Sequence, residues 1–241
     1  MSDAITTVTP EFHQLFTNIE ATLAKTSLPS DKWYILAMAC ITASPDPEAA
    51  AQLYLYLISK PEYTTSESRQ ALIRRLREAL FKAIIIVGVC KPIESILAIS
   101  QVERPEDKDY SSTRVGWQCD DANEARAMEW FLKIYAQNAT DTAGLFDAHK
   151  DFGWVSKYIT YGFFLGDRQV SDDLETELVV LSAIVAQNLR QESWWHIRGT
   201  RRIGVSKEDT EVLVDTVKTI MGHWGLKLNK VPTVDEVEPD V

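Results

Sequence analysis

The groups in this chain best suited to moving protons gather in one short stretch. Glu177 opens the run Glu177-Leu178-Val179-Val180-Leu181. Glu192-Ser193-Trp194-Trp195-His196-Ile197-Arg198-Gly199 follows, with Arg201 and Arg202 just beyond. Carboxylates and an imidazole exchange protons near neutral pH, so the chemistry on offer is general acid–base catalysis. Glu192 precedes His196 by one helical turn, a spacing at which a carboxylate can orient an imidazole and keep it basic. Glu177 shares a helical face with Val180, Leu181 and Ile184, and a desolvated carboxylate suits a second proton-transfer role. Arg198 or Arg202 is the candidate anchor for a substrate carboxylate, and Trp195 a candidate wall of the binding site. Each residue also has a plainer reading. Glu177 would favour a helix start, Glu192 and His196 would form a surface ion pair, the tryptophans would pack, and the arginines would make a solvated face. Their convergence on one helix pair is what defines a candidate site.

Helical periodicity supplies the elements that must carry these groups. Residues 11–26 place Phe12, Leu15, Phe16, Ile19 and Leu23 on one face, and residues 31–43 are apolar nearly all round, as in a buried helix. Further helices are expected over 48–59, 66–88 and 92–100, with Ser66 or Ser68 as the cap of the longest and Gly88 as its stop. Residues 101–122 are polar and aperiodic, a long loop and the natural internal boundary. Helices over 123–138 and 151–165 follow, the second rich in aromatics (Phe152, Trp154, Tyr158, Tyr161, Phe163, Phe164). Helices at 172–189, 191–203 and 207–224 complete the pattern. Gly204 is a stop, and Ser206 with Asp209 forms a start resembling a capping box. From Asn229 the chain is acidic with prolines and is expected to fray.

A weak repeat links the two halves. The run Trp33-Tyr34-Ile35-Leu36-Ala37-Met38-Ala39 and its successor helix echo Leu178-Val179-Val180-Leu181-Ser182-Ala183-Ile184 and its successor, and a longer capped helix follows each pair. The first copy lacks an acid or histidine at the places of Glu177 and His196. The expected organisation is an N-terminal helix (1–30), a degenerate repeat (31–100), a loop with connecting helices (101–170), a repeat carrying the site (171–228) and an acidic tail (229–241).

Net charge is −10, and the only basic clusters are Arg74-Arg75-Arg77 and Arg198-Arg201-Arg202. A nucleic-acid backbone is therefore not the expected partner, although one arginine cluster could hold a small anion. Cys40, Cys90 and Cys119 are far apart and form neither a disulfide framework nor a zinc set. The start of the chain reads as neither a secretory nor a mitochondrial leader, and the apolar run 83–89 is too short to span a bilayer. A cytoplasmic protein with no membrane partner is the expectation.

The run Glu177 to Ala183, then Trp195-His196-Ile197-Arg198-Gly199, then Gly204-Val205-Ser206-Lys207-Glu208-Asp209, resembles the carboxymuconolactone decarboxylase and alkylhydroperoxidase D superfamily. The helices of that family read E-L-x-x-L, H-x-x-x-A and G-V-[ST]-x-E-[ED]. Arg77-Glu78-Ala79-Leu80 and Gly88-Val89-Cys90-Lys91-Pro92 resemble its closing helix and G-x-P turn, and the duplication resembles the fungal-type members. The resemblance implies an all-α fold of two related helical repeats, AhpD-like, in one compact homo-oligomerising domain. In the peroxidase branch a glutamate, a Cys-x-x-Cys pair and a histidine form the site. Glu177 and His196 match the acid and the base, but the cysteine positions fall on Leu189 and Glu192, which removes the dithiol mechanism. The decarboxylase branch is the nearer one. It implies a lyase or isomerase acting on a small organic acid without metal or organic cofactor, His196 being the acid/base, Glu192 its orienter, Glu177 a second proton-transfer group, and Arg198 or Arg202 the anchor. A thiol peroxidase using Cys40, Cys90 or Cys119, and a non-catalytic binding member, are the alternatives.

Overall fold

Two helices with no polar face occupy the centre of the structure. The computed structural model describes residues 7–241. In it, every residue of α2 (Trp33–Ala43) is buried, as is every residue of α9 (Asp173–Ala186) from Glu175 onward. A helix that is apolar on all sides is stable only when surrounded by others. Accordingly α2 and α9 pack against each other, while α4 (Ser66–Val87) and α11 (Lys207–His223) each lie against both. Around them sit α1 (Pro10–Leu23), α3 (Ala50–Ile58), α5 (Cys90–Val102) and α10 (Arg190–Arg202). Each fully buried Leu, Ile or Met in this centre contributes about 1.5–3 kcal/mol relative to exposure. The expected all-α class is what the structure shows.

A second layer forms on the outer side of α9 and α10. It consists of α6 (Asp121–Tyr135), the short α7 (Ala139–Gly144) and α8 (Lys150–Trp154), which runs on into a π-helix over Val155–Phe164. Ala127, Trp130, Ile134, Tyr161 and Leu165 of this layer pack on Val180 and Ile184 of α9. The sequence pattern anticipates one ordinary helix over 151–165; the structure instead widens most of it to the π form. The carbonyl of Tyr158 in that segment accepts a bond from Asn123 Nδ2 at 2.9 Å. Gly162 makes the approach possible, since a Cβ there would lie 2.4 Å from the same nitrogen.

Other local expectations are revised for identifiable reasons. Thr65, not Ser66 or Ser68, caps α4, its hydroxyl accepting from the Ser68 amide. Helix α7 lies in a stretch with no apolar period. The loop after α5 is clamped rather than detached. Arg69 Nε meets Asp107 at 2.6 Å, Arg74 and Arg77 both bind Asp109, and Arg114 makes two 2.7 Å bonds to Glu78. With Arg75 held by Glu175 and Asp31, each arginine of the first cluster is paired with a carboxylate of the chain. The acidic tail does not fray either. It forms α12 (Val234–Val237), burying both valines, and Asp240 accepts from Trp194 Nε1 at 2.9 Å. No described helix is long and apolar enough to cross a membrane.

Candidate functional site

Helix α9 begins with a reciprocal cap: the Glu175 amide donates to Asp172 Oδ1 at 2.7 Å, and the Asp172 amide to Glu175 Oε2 at 3.0 Å. That fixes where the first turn starts and places Glu177 one turn in, facing α10. The chain turns at Asn188, whose φ of 58° is one that asparagine tolerates better than most residues. It then returns as α10, with His196 opposite Glu177. His196 Nδ1 lies 2.9 Å from Glu177 Oε1, and both side chains are buried. Thr200, one turn on, sends its hydroxyl to the His196 carbonyl at 2.7 Å and lies 3.4 Å from the same carboxylate oxygen.

Gly199 sits beside this pair for a steric reason. A Cβ there would fall 2.7 Å from Ile134 Cγ2 and 3.6 Å from Glu177 Oε1. Its absence lets α6 close on α10 over the buried acid.

With Glu177 accepting from Nδ1, the other imidazole nitrogen is left for chemistry. Nε2 has no hydrogen bond among the described residues, and His196 lines a cavity of about 350 Å³. Burial works against the charged imidazole, but the charge and hydrogen bond of Glu177, helped by Glu192, outweigh it and raise the His196 pKa above its ordinary value. The outcome is a base tuned by a carboxylate it touches.

The cavity walls come from α4, α6, α9, α10 and the π-helix: Ile85, Ile86, Phe131, Tyr135, Val180, Ile184 and Trp195 among them. The π-helix accounts for one wall directly. Its hydrogen bonds run between residues five apart, as from the Leu165 amide to the Thr160 carbonyl. Val155, Thr160 and Leu165 therefore stack, as do Ser156 and Tyr161, and all five line the cavity. No lysine or arginine lines it. An adjoining, smaller hollow of about 140 Å³ shares Phe131, Phe146, Ser156 and Tyr161; its Lys157 is paired with Glu124.

The anticipated residues fall into three places. Glu177 and His196 meet. Glu192 and Trp195 line the cavity, but Glu192 makes no hydrogen bond to His196, so the role of orienter passes from Glu192 to Glu177. The reason is burial: His196 turns into the seam between α9 and α10, while Glu192 stays half exposed at the cavity's edge. Arg198 and Arg202 do not line the cavity, which corrects their expected role as carboxylate anchors. Arg202 donates to the Ile134 and Tyr135 carbonyls, to Asn138 Oδ1 and to the Asp240 carbonyl. It caps the C-terminus of α6, where a cation is favoured. Arg198 is buried, with Nε and Nη2 lacking protein acceptors among the described residues. Burial lowers its pKa, with Asp240 pulling the other way.

Two cavity groups are not singled out by the sequence as site residues, although Tyr161 belongs to the aromatic cluster over 151–165, which could wall a pocket. Tyr161 Oη donates to Tyr135 Oη at 3.1 Å inside the cavity wall. Tyr161 is visible in the sequence only as one of several aromatics. Tyr135 ends a helix and has no motif around it; the one available hint is that a buried tyrosine needs a partner for its hydroxyl. No cysteine lines the cavity: Cys40 is buried elsewhere, and Cys90 and Cys119 are exposed.

No protein-family model, curated protein or solved structure matches this chain.

Proposed function

We propose that this protein is a cofactor-free acid–base enzyme, a lyase or isomerase whose proton-transfer chemistry resembles that of the carboxymuconolactone decarboxylase type, acting on a small molecule other than the expected organic acid, whose anchors Arg198 and Arg202 do not line the cavity. The observation that carries the reading is the buried His196–Glu177 pair with Nε2 open to an apolar cavity. In this reading His196 exchanges a proton with the substrate, Glu177 orients the ring and balances its charge, and Trp195 with Glu192 borders the substrate. A cavity of this size lies within the range of small-molecule sites. A thiol peroxidase would need a cysteine there, and none lines the cavity.

The test is incubation in deuterated water with small lactones and cyclic ketones, carboxylated and not, with products read by mass spectrometry and NMR. Wild-type protein is expected to yield a decarboxylated, isomerised or deuterium-exchanged product. His196→Gln should lower that rate by about 10²–10⁴-fold, the usual worth of a general base. A wild type inert across the panel, or equal turnover by the variant, refutes the proposal.

Self-association is part of the same proposal. Val89, Ile93 and Leu97 stand exposed at one-turn intervals along the start of α5, an apolar stripe of the kind a second copy would cover. Gel filtration with light scattering checks it; a monomer at micromolar concentration counts against it.

A further inference from the structure

The two tyrosine hydroxyls in the cavity are arranged as a donor chain. Tyr161 gives its proton to the Tyr135 oxygen at 3.1 Å, and the Tyr135 proton has no protein acceptor among the described residues. Phe131 holds both rings, its centroid 4.5 Å from that of Tyr135 and 5.1 Å from that of Tyr161. The Tyr135 ring stands 6.5 Å from the His196 imidazole, centroid to centroid. Burial raises the pKa of both phenols, so they stay protonated donors across the neutral range. Arg202, by binding the Ile134 and Tyr135 carbonyls, fixes the end of α6. The next residue, Ala136, is held at φ 45°, a region that side-chain-bearing residues rarely adopt.

Charge narrows what could sit between the base and the donor. The walls carry Glu192 but no lysine or arginine. An anion entering would lose its water and meet the Glu192 carboxylate, and the cation on the wall, a protonated His196, is already paired with Glu177. An uncharged ring would find largely apolar walls, the hydroxyl residues Thr142, Ser156 and Thr160, and the Tyr135 hydroxyl, whose proton has no protein acceptor among the described residues.

We propose, building on His196 as the acid–base group, that the cavity takes an uncharged ring carbonyl compound, a cyclic ketone or lactone. Tyr135 donates to the carbonyl oxygen, His196 Nε2 faces the neighbouring carbon, and Tyr161 is a positioning residue for Tyr135. In the step this allows, the C–H bond next to the carbonyl breaks, its proton goes to Nε2, and its electron pair moves through the carbon to the oxygen. The Tyr135 hydrogen bond strengthens as negative charge builds there. Return of the proton to the same carbon gives exchange, and return to the far end of a conjugated system gives an isomer. Nothing is oxidised or reduced.

Two measurements test this on the whole chain. In the first, fluorescence titration compares 2-naphthol with 2-naphthoate, probes of similar size and different charge. 2-Naphthol is expected to bind at least about tenfold tighter, and Tyr135→Phe, which keeps the ring and its packing, to weaken it about tenfold. Tighter binding of 2-naphthoate, or a Tyr135→Phe affinity equal to wild type, overturns the assignment. In the second, NMR follows deuterium uptake by 2-tetralone beside its carbonyl. Tyr135→Phe should slow uptake by about tenfold or more, and Tyr161→Phe should lower kcat with KM unchanged. Uptake by Tyr135→Phe at the wild-type rate removes the donor role. A 2-naphthol preference without any catalysed uptake sinks the acid–base reading of His196 and leaves the choice of an uncharged ring standing.

Discussion

Glu177 and His196, on successive helices, face each other across the α9–α10 seam at 2.9 Å, and water reaches neither carboxylate nor Nδ1 freely. The imidazole's pKa is raised because Glu177's influence outweighs burial. Replacing the carboxylate leaves burial in command, so Glu177→Gln should bring the His196 pKa below its wild-type value. NMR titration of labelled histidine reads this without a substrate. Any rate that needs the free base should then begin to rise at lower pH, with a smaller maximum. An unmoved or higher pKa contradicts the pairing.

The same pair makes a stability prediction with a definite sign. A histidine whose folded pKa is raised contributes its full stabilisation below the unfolded value of about 6.5 and loses it as pH climbs through the folded value. The difference in Tm between wild type and His196→Gln should therefore be largest in mildly acidic solution and shrink toward alkaline pH. A difference that grows with pH would show that the folded imidazole is harder, not easier, to protonate.

Gly199 offers a packing test with an internal control. Alanine there must displace Ile134, and overpacking of this kind costs about 1–3 kcal/mol against a gain in helix propensity of about 1 kcal/mol. Gly222, near the end of α11, has open space where a Cβ would go. Gly222→Ala should raise Tm slightly and Gly199→Ala should lower it, both read by thermal melts. Equal effects would mean that α6 does not close on α10 as described.

How much of this could be read beforehand follows from what each element depends on. Helices α1, α4, α9, α10 and α11 have apolar periods or clear caps and α2 is a continuous apolar run, so local chemistry places them within a few residues. The acid and the base are legible for the same reason, since each sits on a patterned helix. Their mutual contact is not legible, because i to i+4 spacing points His196 at Glu192 while tertiary packing turns it toward Glu177. The π-helix depends on Asn123, far away in sequence, reaching the Tyr158 carbonyl past Gly162. The docking of the tail depends on burying Val234 and Val237 and on Trp194 and the α10 arginines. Arg202 looked like a ligand anchor because its partners are mostly backbone carbonyls, which every sequence has and no motif reveals.

Arg202 is accordingly expected to behave as a structural cap. Hydrogen bonds from a charged group contribute about 1.5–3 kcal/mol each, so Arg202→Gln should lower Tm by several degrees. It should not change the ratio of 2-naphthol to 2-naphthoate affinity, which a carboxylate anchor would control. Selective loss of 2-naphthoate binding would return Arg202 to the cavity.

Lys82 ties the cavity wall to the core and should make stability depend on pH in the opposite sense from His196. Its ammonium is fully buried, donating to the Asp167 carbonyl at 2.8 Å, to Thr176 Oγ1 at 3.0 Å and to the Leu165 carbonyl at 3.4 Å. These contacts fasten the exit of the π-helix to α9. Burial pushes the Lys82 pKa down to about 7, with Glu78 pulling it the other way. Between about pH 7 and the unfolded value near 10.4, the unfolded chain holds a proton that the folded chain lacks, so stability from this group rises with pH. At pH 9 the linkage amounts to about 2–3 kcal/mol relative to neutral solution. Lys82→Met keeps an unbranched side chain one atom shorter and removes the titration. The Tm of wild type minus that of Lys82→Met should therefore climb from pH 7 to pH 9.5 and be nearly flat below pH 6. A difference that stays flat or falls over that range would mean that the carbonyls and Glu78 hold the ammonium charged throughout, and that the wall is clasped by an ion rather than by a titrating amine.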